Sequence, residues 1–379
     1  MLDKTLDFVC DMKRFKCEGC GSEVYFDSMT CVSCGRRLGY HAVRNEMLAL
    51  DSSGSVWLGH GQHEPSVTLC TNAEVGHCNW LVTDQSGHNY CRACRHNVVV
   101  PDLGSVDHRA HWQKIELAKR HLFYSLLRWR LPIPNRVDDD PARGLGFSFL
   151  ADTRHPDGTV LNVLTGHDDG HITLNIAEAD DAVRERVRAQ MREPYRTLLG
   201  HFRHEVGHFY WDRLVKDGPQ LDEFRSLFGD ETIDYEAALK RYYENGAPTD
   251  WRSAYISEYA TSHPWEDFAE TWAHYMHVVD SLETARAYGL ELHKPDVAAE
   301  GPAVAVEFQP YRATTIDVIV EAWLPLTLAL NSINRSMGQK DFYPFVMNSP
   351  VLEKLAFIQD LIRGATHEQH VVARSARRS

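Results

Sequence analysis

The segment His204-Glu205-Val206-Gly207-His208 sets two imidazoles four residues apart with a carboxylate beside the first. On a helix those two positions share a face, so both rings can bind one zinc ion while Glu205 stands next to it as general base. Advancing ~100° per residue from His204 puts His208 near ~40°, His201 near ~60°, Asp212 near ~80° and Glu205 near ~100°. Tyr195, Leu198, Leu199, Phe202, Val206 and Phe209 gather on the opposite side. The spacing predicts a helix that buries this apolar side and turns its histidines toward a cleft. A catalytic zinc needs a third protein ligand and an open position for water. The metzincin continuation would require Gly at 211 and His at 214, where the chain has Trp211 and Leu214. A better source is His263-Pro264-Trp265-Glu266, in which Pro264 fits the first turn of a second helix capped by Ser262 or His263. There Glu266, Glu270 and His274 fall on one side and Phe268, Trp272, Tyr275, Met276 and Val279 on the other. Glu266 is thus offered to the metal, with Glu270 and His274 behind it, either orienting the ligands or lying on the surface. His201 is a further orienting candidate. Asp212 fits that role, pairing with a nearby base, or a plain helix surface.

The second chemical signal is cysteine. All nine cysteines lie between Cys10 and Cys94. Cys17-x-x-Cys20 and Cys31-x-x-Cys34 form two knuckles able to give four thiolates to one tetrahedral zinc, a zinc ribbon. Cys70, Cys78, Cys91 and Cys94 make a second, less regular quartet, read as another structural zinc site. Cys10 is left over as an ordinary thiol. Four thiolates leave no coordination position open, so these modules serve stability or recognition rather than chemistry.

The elements that position these groups follow from the pattern. Pro101 to Gly104 reads as a boundary, and a helix runs from about His108 to Trp129. Short strands are expected at about 146–151, 159–164 and 171–176, with Gly166 to Gly170 as a turn, and the remainder is mainly helical. The strand at His171–Ile176 is either an interior strand or a cleft edge that receives an extended substrate by β-addition. Asn331 to Gly338 reads as the end of a helix, and Arg374 to Ser379 as a frayed basic tail. The expected fold is α+β in three parts: a zinc ribbon at 1–41, a second cysteine-rich zinc module at 42–100, and a mainly helical zincin-like domain at 101–379. A net charge of −13 over 379 residues makes nucleic acid an unlikely partner. The longest uncharged apolar stretch, Ala322 to Ile333, is shorter than the roughly 20 residues of a membrane span, so no membrane helix is expected. With no secretory leader visible and its cysteines arranged for metal, the chain reads as cytoplasmic.

The two cysteine quartets resemble a known pattern when taken with Cys78-Asn-Trp-Leu-Val82, the run Gly170-His-Ile-Thr-Leu-Asn-Ile-Ala-Glu-Ala-Asp180, and the segment from Glu193 to His208. Together they resemble the bacterial family of zinc-binding metallopeptidases with an N-terminal zinc ribbon, over nearly the whole chain. The stretch from Tyr259 to Glu270 is similar, more distantly, to the third-ligand segment of gluzincins related to the anthrax lethal factor protease domain. That resemblance implies that Glu266 binds zinc and that Tyr259, seven residues earlier, assists the transition state.

The implied reaction is peptide hydrolysis on a peptide or protein substrate. Zinc held by His204, His208 and Glu266 activates water, Glu205 takes its proton, and Tyr259 donates to the oxyanion. The expected metal content is one catalytic zinc and one or two structural ones. Two other readings stay open: hydrolysis of a non-peptide amide, and a ribbon-based adaptor for protein or nucleic acid whose histidine site is only structural.

Overall fold

The structure is a computed structural model that describes residues 14–53, 56–60, 67–83, 87–154, 157, 159–163, 165–190, 196–292 and 304–376. Cys10 and Tyr195 lie outside the described residues.

The chain begins with a hairpin of β1 (Phe15–Lys16) and β2 (Glu23–Val24). The Cys17 amide donates to the Ser22 carbonyl (2.9 Å) and the Gly21 amide to the Cys17 carbonyl (2.7 Å). The second knuckle repeats this, with Cys31 N to Arg36 O at 2.9 Å and Gly35 N to Cys31 O at 2.8 Å. Gly21 and Gly35 close the two turns at φ of 76° and 74°, a conformation that penalises any Cβ. An antiparallel sheet follows, of β3 (Arg37–His41), β4 (Glu46–Ser53) and β5 (Val56–Gly59). The pair β6 (Thr68–Leu69) and β7 (Leu81–Val82) then carries the chain into the second cysteine quartet.

Helix α1 (Val106–Arg128) is capped by the Ser105 hydroxyl, which accepts from the His108 amide. Its buried face holds Trp112, Ile115, Leu122 and Leu126, spaced as the sequence predicts. Phe26 of the ribbon packs on His121 and Tyr124 of this helix, with ring centroids 4.8 and 5.3 Å away. Cysteine modules and helices therefore share one hydrophobic core running from Phe15 to Ala365.

A four-stranded sheet lies beyond α1. Its strands, introduced in chain order, are β8 (Asn97–Val99), β9 (Gly146–Leu150), β12 (Gly166–Asp168) and β13 (His171–Asn175); β10 (Thr153–Arg154) and β11 (Val160–Leu161) form a separate two-stranded pair. The sheet order is β12-β13-β9-β8, with β13 parallel to β9. Strand β13 is therefore interior, and the β-addition reading of His171–Ile176 fails because β12 and β9 already take both its edges. The expected strand over 159–164 shrinks to β11. Gly166–Asp168 is a strand rather than a turn, and Asp169 and Gly170, both at positive φ, make the two-residue turn to β13.

The rest is helical: α2 (Asp181–Gln190), α3 (Leu198–Leu214), α4 (Leu221–Phe228), α5 (Tyr235–Asn245), α6 (Pro264–Ala287), α7 (Ile316–Ser336) and α8 (Ser349–Ala376). A small pair, β14 (Glu291–Leu292) and β15 (Val304–Ala305), lies between α6 and α7. His263, not Ser262, caps α6 by accepting the Trp265 amide, and Pro264 occupies the first turn. Helix α7 stops just before Gly338, which adopts φ of 71°. Helix α8 includes Arg374 to Ala376, and Arg377 to Ser379 lie outside the described residues. At 21 residues α7 is longer than its uncharged stretch suggests, and by length and composition it could cross a membrane. It buries Ile319, Val320, Trp323 and Leu326.

One contact sets the position of everything that follows. Helices α3 and α6 cross at Gly207, where an added Cβ would lie 2.9 Å from the Ala269 Cα and 3.2 Å from the Trp272 Cβ. Only a residue without a side chain allows so close an approach.

Candidate active site and metal centres

Crossing at Gly207 brings the polar residues on either side of it together. His204 and His208 of α3 and Glu266 of α6 turn inward, with relative exposures of 8%, 3% and 1%. The His204 Nε2 lies 3.2 Å from His208 Nε2 and 2.9 Å from Glu266 Oε2, and His208 Nε2 lies 3.5 Å from Glu266 Oε1. Zinc bonds of 2.0–2.1 Å put the corners of a tetrahedron about 3.3 Å apart, so these spacings are of the size a zinc ion requires. Glu266 Oε2 is buried and accepts no well-aligned hydrogen bond among the described residues, which leaves a free lone pair beside His204 Nε2. The residues fit the ion.

Their neighbours fix the donor atoms. Glu270 Oε1 lies 2.8 Å from His204 Nδ1 and accepts its proton, which frees Nε2. Glu270 Oε2 in turn accepts from the Ser257 hydroxyl at 2.6 Å. The Tyr235 hydroxyl, at the start of α5, donates to Glu266 Oε1 at 2.7 Å, while Oε2 lies against His204 Nε2. Burial pushes the Glu266 carboxyl up, but the His208 charge and the His204 contact outweigh it and hold it well below the usual carboxylate range. Burial likewise disfavours a charged His204, and Glu266 and Glu270 overcome this to raise it. The trio is built for positive charge.

Glu205 faces His201 on the preceding turn, Oε1 to Nε2 at 3.1 Å, and His201 Nδ1 lies 2.7 Å from Glu178 Oε2. Glu178 also accepts from the Thr165 hydroxyl at 2.5 Å. Burial works against the His201 imidazolium, yet Glu178 and Glu205 raise it to about 9. The same contacts bring Glu178 down to about 2 against its own burial. Tyr259 sits in the short 3-10 turn Tyr259–Thr261, its ring centroid 5.9 Å from that of His204. Burial keeps its hydroxyl protonated, well above the ordinary tyrosine range. His201, His204, Glu205, Tyr259 and Glu270 all line a cavity of about 570 Å³.

Of the remaining orienting candidates, Asp212 takes its other reading and pairs with a nearby base, and His274 does not reach the trio. Asp212 faces Lys216 (3.5 Å), while His208 Nδ1 is buried without a hydrogen-bond partner and its ring packs on Trp265 at 3.7 Å. His274 lines the cavity but bonds to the Tyr343 hydroxyl at 2.8 Å, not to any of the trio, and burial lowers it to about 4. Glu178, Tyr235 and Ser257 are the residues that sequence reasoning missed. Of these only Glu178 lay inside a quoted motif, the run from Gly170 to Asp180.

Both cysteine quartets are assembled. Cys17–Cys34 and Cys20–Cys31 sulfurs lie 3.6 Å apart, and Cys78–Cys91 and Cys78–Cys94 sulfurs 3.7 Å apart. Zinc–sulfur bonds of 2.3 Å imply an edge of about 3.8 Å, so these too fit zinc. The second quartet is wholly buried, and the guanidinium of Arg120, 3% exposed, offsets its thiolates.

A zinc-ribbon domain family matches residues 14–105, and a family described as "putative zinc-binding metallo-peptidase" matches residues 108–361. Proteins of Mycobacterium tuberculosis (strain ATCC 25618 / H37Rv) and Mycobacterium bovis, both named as uncharacterized, are 40% identical over 353 residues, covering 93% of this chain and 95% of each relative. No solved structure matches the chain.

Proposed function

The chain belongs to this zinc-binding metallo-peptidase family, and from that premise we propose that it is a zinc-dependent peptidase of the gluzincin type, hydrolysing peptide bonds with Glu205 as general base. The observation that carries the reading is the meeting of His204, His208 and Glu266 around one point, with His204 lining a cavity that Glu205 and Tyr259 also line. When bound by that trio, zinc supplies Lewis acidity that makes water acidic near neutral pH and polarises a carbonyl. Glu205 accepts the proton of the attacking water and delivers it to the leaving amine. Tyr259 donates a hydrogen bond to the oxygen on which negative charge develops. Glu270 and Ser257 keep His204 in the tautomer that offers Nε2, and Tyr235 holds Glu266 by its other oxygen. The cysteine quartets belong to the same proposal as structural sites in a reducing, cytoplasmic setting.

Metal analysis and a peptide library test this together. Zinc is expected at three ions per chain, one for each ligand group. The Glu205→Gln protein should keep all three and lose cleavage, and Glu266→Ala should lose one ion. Cleavage by Glu205→Gln at the wild-type rate would overturn the assignment of the base. Failure to cut any peptide, with salt-dependent binding of nucleic acid, would favour an adaptor instead.

A further inference from the structure

Glu205 is unusually constrained for a group that must take and return a proton. It is 6% exposed, and its Oε1 is engaged by His201, one turn earlier on α3. His201 is engaged in turn by Glu178, which arrives from the 3-10 turn Ile176–Ala179 at the end of β13 and lines the same cavity. Thr165 fixes Glu178, and Arg196 stands 3.7 Å from it. Each nitrogen of the His201 ring thus faces a carboxylate oxygen, an arrangement that a ring donating through both nitrogens satisfies at both ends. A carboxylate pinned through one oxygen presents only the other to a reacting water, and its rotation about the last side-chain bond is stopped. General-base catalysis depends on that alignment as much as on basicity.

We infer that Glu178 and His201 form a positioning pair that holds Glu205 by Oε1, so that Oε2 alone meets the attacking water. The inference rests on the reaction proposed above. His201 touches none of the reacting atoms. It acts through Glu205, and Glu178 acts through His201. The pair also joins the turn after β13 to α3, so the general base is aligned through a residue from outside its own helix.

The test uses the zinc-loaded full chain and four variants. His201→Phe keeps the ring and removes both donors. Its kcat should fall about 100-fold, within the range attributed to general-base catalysis. KM should stay within about twofold, and zinc affinity, read by competition with a chelator, should not change. His201→Gln restores one donor toward Glu205 and should recover about tenfold of that loss; Glu178→Gln should lower kcat about tenfold. An independent readout is the nitrogen-15 spectrum of histidine-labelled protein at pH 7, where His201 should contribute two ring N–H signals that vanish together in His201→Gln. A single ring N–H, a His201→Phe enzyme within about threefold of wild type, or a loss of kcat matched by loss of zinc overturns the inference. If His201→Phe does not fold, an undiminished kcat in Glu178→Gln does the same. Glu205→Gln, run alongside, separates the two levels. If it still cleaves, the proposed reaction is wrong; if it is inactive while His201→Phe is fully active, only the positioning pair is.

Discussion

The cysteine quartets and the His204/His208/Glu266 trio are both metal geometries, but they are made in opposite ways. Each ribbon knuckle takes its ligands from one tight turn, with backbone amides and a left-handed glycine setting the sulfurs in place. The histidine site takes its ligands from two helices, and their relation depends on one backbone approach at Gly207. Four thiolates close a tetrahedron, whereas three ligands leave a corner free. The first kind of site is a local fold element, and the second is a product of tertiary packing. Damage to one should therefore look like unfolding, and damage to the other like lost chemistry on an intact scaffold.

Breaking a quartet should have the largest effect. Cys78→Ser in the buried quartet removes a zinc whose binding is worth on the order of 10 kcal/mol in small zinc modules, so the chain is expected to lose that ion and its soluble folded state together. Zinc content and thermal melting check this. Gly207→Ala tests the other side. Its Cβ must push α3 from α6, at about 1–3 kcal/mol, and the expected outcome is a folded protein that retains its cysteine-bound zinc but loses the third ion and all peptide cleavage. Glu270→Gln is a finer cut, expected to weaken binding of that ion alone by about 10- to 100-fold in a chelator titration, with melting little changed.

The smallest expected effect is one of pH. Glu178 and Glu205 raise His201 from its ordinary 6.5 to about 9, so its stabilisation is complete below 6.5 and is lost as pH rises through about 9. Glu178, at about 2, contributes above 4.5 and loses this as pH falls toward 2. Melting temperature, measured with zinc held constant, should decline between pH 6.5 and 9, and less steeply in His201→Gln.

The same contrast explains what could be read from the sequence. The knuckles and the two helices carrying the histidines and Glu266 follow from local spacing and helical periodicity, and the structure forms them as expected. The apolar side of α3 was legible in Phe202, Val206 and Phe209, but its polar side is buried as well, because α6 and the Tyr259 turn close over it. Periodicity within a helix cannot report what covers it. Tyr235, Ser257 and Glu178 come from a helix start and two turns, where no repeat marks a polar residue as inward-facing. Strand β13 alternates buried and half-buried residues, a pattern that suits an edge, and only its parallel pairing with β9 makes it interior. Asp212 keeps the right spacing from His208 and pairs with Lys216 one turn on, the second of the two roles its spacing allowed.

The contact between Gly207 and Ala269 also bears on which ion the site will take. Two helices already touching through their backbones cannot part to lengthen the ligand distances without opening the core around Phe202, Phe268 and Trp272. Calcium needs six to eight oxygens at 2.3–2.6 Å, and a cradle of two nitrogens and one oxygen at this spacing is both too small and too poor in oxygen to hold it. Ion choice is thereby built into how closely two backbones pass, at a residue that has no ligand atom of its own.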